Sequence, residues 1–372
     1  MWSIQDIKMM SRALTLARKG LYTTRPNPSV GCVLAQGGEV IGEGYHIKAG
    51  GPHAEVHALA QAGSKAKGCT AYVTLEPCSH YGRTPPCAKG LIQAGVTRVV
   101  IATEDPNPQV KGRGIAMLQD AGIQVSVGLL GPEAIKLNKG FMKSMAKKLP
   151  WVTVKLAASL DGKTALSNGV SKWITGPESR RDVQRLRARH GALVTGIETV
   201  LADNPHLNVR YNELGELVHS LSESDVIQPI RVILDSRARL PEKVALFDIQ
   251  SPILLVSCVP YSEESRQAWP DHVSHLLLPS IDGRVDLAKL LEHLSTLCHS
   301  VLVEAGATLA GAFMAEGLAD ELVLYQAIKI LGDKGRNLLS LPEYGSMAML
   351  PSMTLVDERK VGSDTRLTLK LS

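Results

Sequence analysis

His53, Cys78 and Cys87 are the side chains of the first hundred residues best suited to hold a transition metal together. One imidazole and two thiolates supply three ligands to a tetrahedral Zn²⁺ and leave its fourth position open to water. Water on such an ion loses a proton near neutral pH and becomes a nucleophile. Glu55 lies two residues beyond His53. That spacing suits a proton shuttle rather than a fourth ligand. The carboxylate would take the proton from water, protonate a ring nitrogen under attack, and later protonate departing ammonia.

The thiols are separated by eight residues, SHYGRTPP, where zinc deaminases acting on nucleobases place two. Both thiols reach one metal if Cys78 ends a strand-to-helix turn and Cys87 opens the helix. The insert then loops out and brings His80 and Arg83 within range of a substrate phosphate. A closed structural site is the competing arrangement, with His57 one helical turn after His53 as fourth ligand. Closed sites favour paired C-x₂₋₄-C spacings, which this chain lacks. Cys32, Cys69, Cys258 and Cys298 stand in apolar contexts and read as small buried hydrophobes. A second, weaker signal is VLVEAGATLAGA at 301–312. An apolar strand ends at Glu304, and Gly306 turns the chain into a helix whose first N–H groups could receive a phosphate.

Composition limits what these residues can serve. The chain has 372 residues, 44% hydrophobic and 21% charged, which suits two ordinary globular domains. No apolar run reaches the roughly 18–20 residues of a membrane span, and the first residues do not read as an export signal. Six cysteines in such a chain point to reduced thiols in the cytoplasm. Residues 1–150 hold 18 basic and 9 acidic side chains, a net of +9; residues 151–372 hold 23 and 27, a net of −4. The basic front half suits an anionic ligand. With only 4% aromatic residues, stacking of single-stranded nucleic acid is disfavoured.

The elements around the metal residues alternate in type. The spacing predicts helices over 3–19, 54–62, 87–94 and 114–121, and strands over 30–34, 40–41, 71–75, 96–102 and 124–128. This is an α/β layer arrangement. The basic stretch 139–150, ending in Pro150, reads as a linker. Beyond it, strands are expected at 151–157, 193–195, 230–234, 253–257, 276–278, 300–303 and 321–327. Helices are expected at 177–189, 286–297 and 309–317, and a surface loop at 211–228. The expected domains are 1–146 and 147–372.

The front half resembles the cytidine-deaminase-like superfamily. Within it, the chain is similar to the deaminases of riboflavin synthesis that act on a diaminopyrimidine ribose phosphate. The resemblance rests on PNPSVGCV (26–33), AGGPHAEVHAL (49–59), TLEPCSHYGRTPPC (74–87) and EDPNPQVKGRG (104–114). The eight-residue thiol spacing is the form used by that family. The resemblance implies a three-layer αβα fold and a contact from Asn27 to the pyrimidine. It also places loop positions His80, Arg83, Asp105 and Asn107 toward the ribose phosphate. A turn residue beside two prolines is the plainer account of Asn27.

The back half resembles the reductases of the same pathway through VKLAASLDGKTA (154–165), SKWITG (171–176), RDVQRLRAR (181–189), GIETVLADNPHLNVR (196–210) and VEAGATLAGAF (303–313). The resemblance implies a dihydrofolate-reductase-like α/β domain that uses NADPH. Ala157, Trp173, Thr199, Asp203 and Ser236 would line the cofactor site. The turn made by Gly306, Ala307, Thr308, Leu309, Ala310, Gly311 and Ala312 would hold its phosphates. Ser171, Arg187, Leu207, Arg210 and Glu304 would contact the substrate, arginine being suited to a ribose phosphate dianion. The implied activity is zinc-dependent deamination followed by NADPH-dependent reduction of a small pyrimidine ribose phosphate. No nucleic acid or membrane is involved, and assembly as a homo-oligomer is left open. The alternative is a tRNA-editing adenosine deaminase with a fused accessory domain. Its second domain should be the basic one, which the charge split opposes.

Overall fold

The computed structural model describes residues 1–81 and 85–371. The chain divides into two contiguous units, Met1–Lys148 and Leu149–Ser372. In the front unit the elements run α1 (Ile4–Lys19), β1 (Gly31–Gln36), β2 (Glu39–Tyr45), α2 (Ala54–Ala62), β3 (Thr70–Val73), α3 (Cys87–Gln93), β4 (Arg98–Ile101), α4 (Arg113–Asp120), β5 (Gln124–Val127), α5 (Gly131–Leu137) and α6 (Lys139–Lys147). The sheet order is β2-β1-β3-β4-β5, antiparallel across β2-β1-β3 and parallel across β3-β4-β5.

Alternation along β1 sends Cys32 and Leu34 into one core and Val33 and Ala35 into another. The first core takes Ala54, Ala58 and Ala62 of α2, Leu91 of α3 and Leu118 of α4; the second takes Met9, Met10, Ala13 and Leu14 of α1. Both faces of the sheet are therefore covered, giving three αβα layers. The stretch 139–150 differs from its expectation. Most of it is helix α6, and the division between units follows it, at Lys148. Its four-residue lysine spacing lies along a helix that buries Ser144 alone.

The back unit contains β6 (Trp151–Ser159), α7 (Pro177–Arg189), β7 (Ala192–Gly196), α8 (Ile197–Asp203), β8 (Ile230–Leu234), β9 (Ile253–Ser257), β10 (Val273–Leu277), α9 (Leu287–Ser295), β11 (Ser300–Glu304), α10 (Ala307–Ala315), β12 (Glu321–Ala327), β13 (Met353–Val361) and β14 (Asp364–Leu371), with shorter strands and turns between them. Its nine-stranded sheet has the order β10-β9-β8-β7-β11-β6-β12-β14-β13. The six strands from β10 to β6, with β12, are parallel; the terminal hairpin β13–β14 adds antiparallel. Leu290, Leu294 and Phe313 of α9 and α10 cover one face, and Val183, Leu186 and Ile197 of α7 and α8 cover the other. Segment 211–228 folds as three short 3₁₀ turns rather than an open loop. The hairpin at 353–371 was not anticipated.

Candidate active sites in the two units

In the front unit α2 carries the chemistry. His53 is its N-cap and Glu55 lies in its first turn. The helix lies on β2 with almost no space between backbones. A methyl at Gly44 would fall 2.5 Å from His57 Cβ and 2.6 Å from the Ala54 carbonyl oxygen, and one at Gly42 would strike Ala58. Glycine on the strand and Ala54, Ala58 and Ala62 on the helix therefore set the depth at which His53 and Glu55 sit.

Cys78 follows β3 and Cys87 opens α3, as the spacing argument requires. His53 Nδ1 lies 3.7 Å from Cys78 Sγ and 3.3 Å from Cys87 Sγ, and the three donor atoms fall within 4.8 Å of one another. Ligand bonds of about 2.0–2.1 Å to nitrogen and 2.3 Å to sulfur place tetrahedral N···S edges near ~3.5 Å, so the donor set fits zinc. His57 is not part of the cluster among the described residues; its Cβ faces Gly44 instead. That removes the closed four-ligand arrangement. The Cys78 thiol is drawn well below its ordinary value by hydrogen bonding from Cys87 and by His53. Glu55 is 3% exposed, and burial pushes its carboxyl up to about 7.

Asn27 reaches this site through a residue the sequence reading missed. Its side-chain nitrogen lies 3.1 Å from His46 Nε2, while His46 Nδ1 lies 3.0 Å from the Pro52 carbonyl oxygen. Since that carbonyl can only accept, Nδ1 carries the proton and Nε2 accepts from the Asn27 amide. His46 also packs edge-on to His53, with ring centroids 5.4 Å apart. The only sequence signal for it is a histidine just past β2, seven residues before the metal ligand. Arg83 lies outside the described residues.

In the back unit a cleft of about 1980 Å³ opens at the carboxyl ends of β6, β7, β8 and β11. Open α/β sheets bind ligands at this edge, where the strand order reverses. Its volume exceeds the roughly 300–1,000 Å³ of a single small-ligand pocket, leaving room for a dinucleotide and a second molecule. Ala157, Ser171, Trp173, Thr199, Asp203, Ser236, Glu304, Gly306, Ala307, Thr308, Leu309 and Ala312 line it. Gly306 is the N-cap of α10, and no side chain caps that helix. A Cβ at Gly306 would meet nothing within 4 Å. Uncapped N–H groups beside open space are what a cofactor phosphate requires.

Five expected contacts differ from this cleft lining. Ala310 is buried in the core, and Gly311 lacks a side chain because α10 presses there against the Ser340 backbone. Ala310 therefore faces the core, and Gly311 lies under Ser340, which itself lines the cleft. Leu207 is 4% exposed and packs into the core beneath α7 and α8. Arg210 pairs with Glu213 at 2.6 Å. Arg187 forks onto Glu304 at 2.7 and 3.0 Å and donates to the Asn208 carbonyl at 2.9 Å, so it orients the cleft carboxylate from behind. Burial alone would raise the Glu304 carboxyl, but Arg187 and Lys155 overcome this and hold it low. Lys155 also lines the cleft, and burial lowers its pKa. Asp203 is paired with Lys172 at 2.7 Å.

Each unit matches a known protein family. Residues 3–103 match the cytidine and deoxycytidylate deaminase zinc-binding region, and residues 150–367 match the RibD C-terminal domain. The chain is 50% identical to riboflavin biosynthesis protein RibD of Haemophilus influenzae, covering 99% of this chain and 98% of that protein. It is likewise 50% identical to that of Escherichia coli, over 98% and 99%. The chain belongs to the RibD family. Among solved structures, RibD of Acinetobacter baumannii superposes with a TM-score of 0.90 at 45% identity, covering 99% of each chain. The Thermotoga maritima diaminohydroxyphosphoribosylaminopyrimidine deaminase/5-amino-6-(5-phosphoribosylamino)uracil reductase does so at 0.86 and 34%, again over 99% of each. Members of the family are bifunctional deaminase-reductases of riboflavin biosynthesis, and this chain is one of them, using Zn²⁺ and NADPH. A tRNA-editing enzyme with an accessory domain is not supported, because the second domain is the family's own C-terminal domain.

Proposed function

We propose that the front unit removes an amine from 2,5-diamino-6-ribosylamino-4(3H)-pyrimidinone 5′-phosphate, and that the back unit reduces the ribosyl side chain of the product to ribityl. The observation that carries this is the convergence of His53, Cys78 and Cys87 beside buried Glu55. Zinc held by these ligands supplies a polarised water. Glu55 then holds and moves the proton, first to a ring nitrogen and later to the departing amine. A carboxyl near neutrality suits transfer in both directions. Asn27, oriented by His46, presents its amide oxygen to a pyrimidine N–H donor. The loop positions expected at the ribose phosphate are His80, Arg83, Asp105 and Asn107.

In the back unit, Gly306–Leu309 and Ala312, with Ala157, Trp173, Thr199, Asp203 and Ser236, form the cofactor side of the cleft, and Ser171 and Glu304 the substrate side. NADPH bound here would supply hydride for the C1′ carbon of the ring-opened imine form of the substrate. Lys155, with its proton loosened by burial, and Glu304, held by Arg187, manage the accompanying proton.

The proposed substrate is a small phosphorylated pyrimidine. No helix among the described residues is long and apolar enough to cross a membrane. A cytoplasmic location fits six free thiols. Self-association through β13 is supported by its place at the sheet edge and by the exposure of Met353, Leu355 and Val356. Sedimentation at micromolar concentration tests this, and a monomer sinks it. The activity is tested with purified protein and the diaminopyrimidine, following ammonia release and NADPH absorbance. Chelation should abolish ammonia release and leave NADPH consumption on supplied deaminated substrate. Ammonia release that persists once zinc is gone would overturn the assignment.

A further inference from the structure

Glu76 precedes the ligand Cys78 by two residues, yet it does not belong to the metal cluster among the described residues. Its carboxylate is 4% exposed and is used up on another segment. One oxygen accepts from the backbone N–H of Asp105 at 3.2 Å and of Gly112 at 3.0 Å. The other accepts from Gly114 at 2.9 Å and Ile115 at 3.3 Å. The Glu76 N–H donates to the Thr103 carbonyl at 3.0 Å. A side chain at Gly114 would strike the Pro77 carbonyl. Gly112, the N-cap of α4, has no side chain with which to cap that helix, and Glu76 caps it from across the chain. Within the clamped segment, Asp105 Oδ1 accepts from Asn107 N at 2.8 Å and Asn107 Oδ1 from Gln109 N at 3.0 Å. Asp105 lies close enough to His80 and Cys78 to feel both charges.

We propose that Glu76 is a positioning residue for substrate in the deamination reaction. Its carboxylate fixes segment 104–115 as a wall of the site, in register with the strand end that carries Cys78. Four backbone donors on one carboxylate hold that wall rigidly, because each is a charge-assisted bond shielded from water. Glutamine at this position keeps the shape but turns an NH₂ group toward two N–H donors, so half the clamp becomes repulsive. The proposal rests on the reading of the front unit as a pyrimidine ribose phosphate deaminase.

The test is Glu76→Gln in the full chain, with Glu76→Asp beside it as a shorter carboxylate that keeps the charge. Zinc content, deaminase kcat and KM, NADPH consumption and amide exchange of residues 105–115 are measured together. For Glu76→Gln we expect full zinc, unchanged reductase turnover and a kcat within a few-fold of wild type. The KM should rise roughly tenfold or more, the mark of lost substrate binding. Exchange should speed up across 105–115, and Glu76→Asp should recover part of the KM. An unchanged KM, or zinc lost in both variants, would overturn the proposal, the second by making Glu76 a support of the metal loop. If the wild type does not deaminate the pyrimidine, the functional reading fails by itself. Amide exchange then still decides the clamp, and unchanged exchange overturns it.

Discussion

Glu55 and Asp6 are both almost closed off from solvent, and their surroundings push them in opposite directions. Burial dominates at Glu55 and outweighs the help it receives from His53 and a backbone N–H. Glu55→Gln keeps the shape and the hydrogen bonding but cannot shuttle a proton. We expect deaminase activity to fall by roughly 10²–10⁴-fold with zinc retained; near-normal turnover in a zinc-replete variant would remove Glu55 from the mechanism. Asp6 instead receives Arg98 at 2.7 Å, the Tyr72 hydroxyl at 2.9 Å and both the N–H and hydroxyl of Ser3. The Arg98 guanidinium leads in holding its carboxyl far below the usual carboxylate range. A lowered folded-state pKa means that the stabilisation is complete above the unfolded value of about 4 and is lost as pH falls below it. Asp6→Asn should therefore cost the front unit about 1–3 kcal/mol at neutral pH, and the gap from wild type should narrow below about pH 4. Urea unfolding at several pH values checks this, and a gap constant with pH would contradict it. Sequence spacing revealed Glu55 because its partner His53 is local. It could not reveal Asp6, whose cation lies 92 positions away. Arg187 shows the same limit: its partner Glu304 is 117 positions distant, so the pairing that holds this carboxylate left no trace in the sequence spacing.

Two glycines separate packing from ligand binding at the level of elements. Gly44 is where β2 meets α2, and a methyl there pushes on the helix that carries both His53 and Glu55. Displacement of reacting groups by about 1 Å can cost 10²-fold in rate. Gly44→Ala should therefore lower deaminase kcat by at least about tenfold while reductase turnover is unchanged; a fully active variant would mean that α2 tolerates the shift. Gly306 has open space where its side chain would be. Gly306→Val should leave thermal stability unchanged and raise the KM for NADPH, the added bulk meeting only the ligand. An unchanged NADPH response would move the cofactor away from this turn. Most strands and helices were legible because apolar periodicity and core position agree, as in 54–62 and 177–189. The terminal hairpin was not, because β14 inverts the usual pattern. Asp364, Arg366 and Thr368 are the buried positions, while Leu367 and Leu369 are only partly covered. α7 partners two of these polar side chains: Asp364 accepts from Ser179 at 2.6 Å and Arg366 donates to Asp182 at 2.8 Å. A periodicity argument that seeks apolar residues inside has nothing to find there.

At the scale of the whole chain, the order of the motifs matches the order of the units, and the backbone passes from one to the other once, between Lys148 and Leu149. Each unit has cores on both faces of its own sheet. The division was legible from the motifs, whereas its position was obscured by a helix whose lysines look like a solvated tether. That single crossing has a consequence for supply. Every translation event delivers one deaminase and one reductase, so their ratio stays at unity however strongly the message is expressed or however far the cell dilutes it. Two separate proteins would need matched promoters to achieve this, and any mismatch would let a half-processed pyrimidine accumulate. The coupling also gives truncation a direction. A stop codon just beyond Lys148 leaves the first enzyme without the second, and the metabolite that then builds up is the deaminated one.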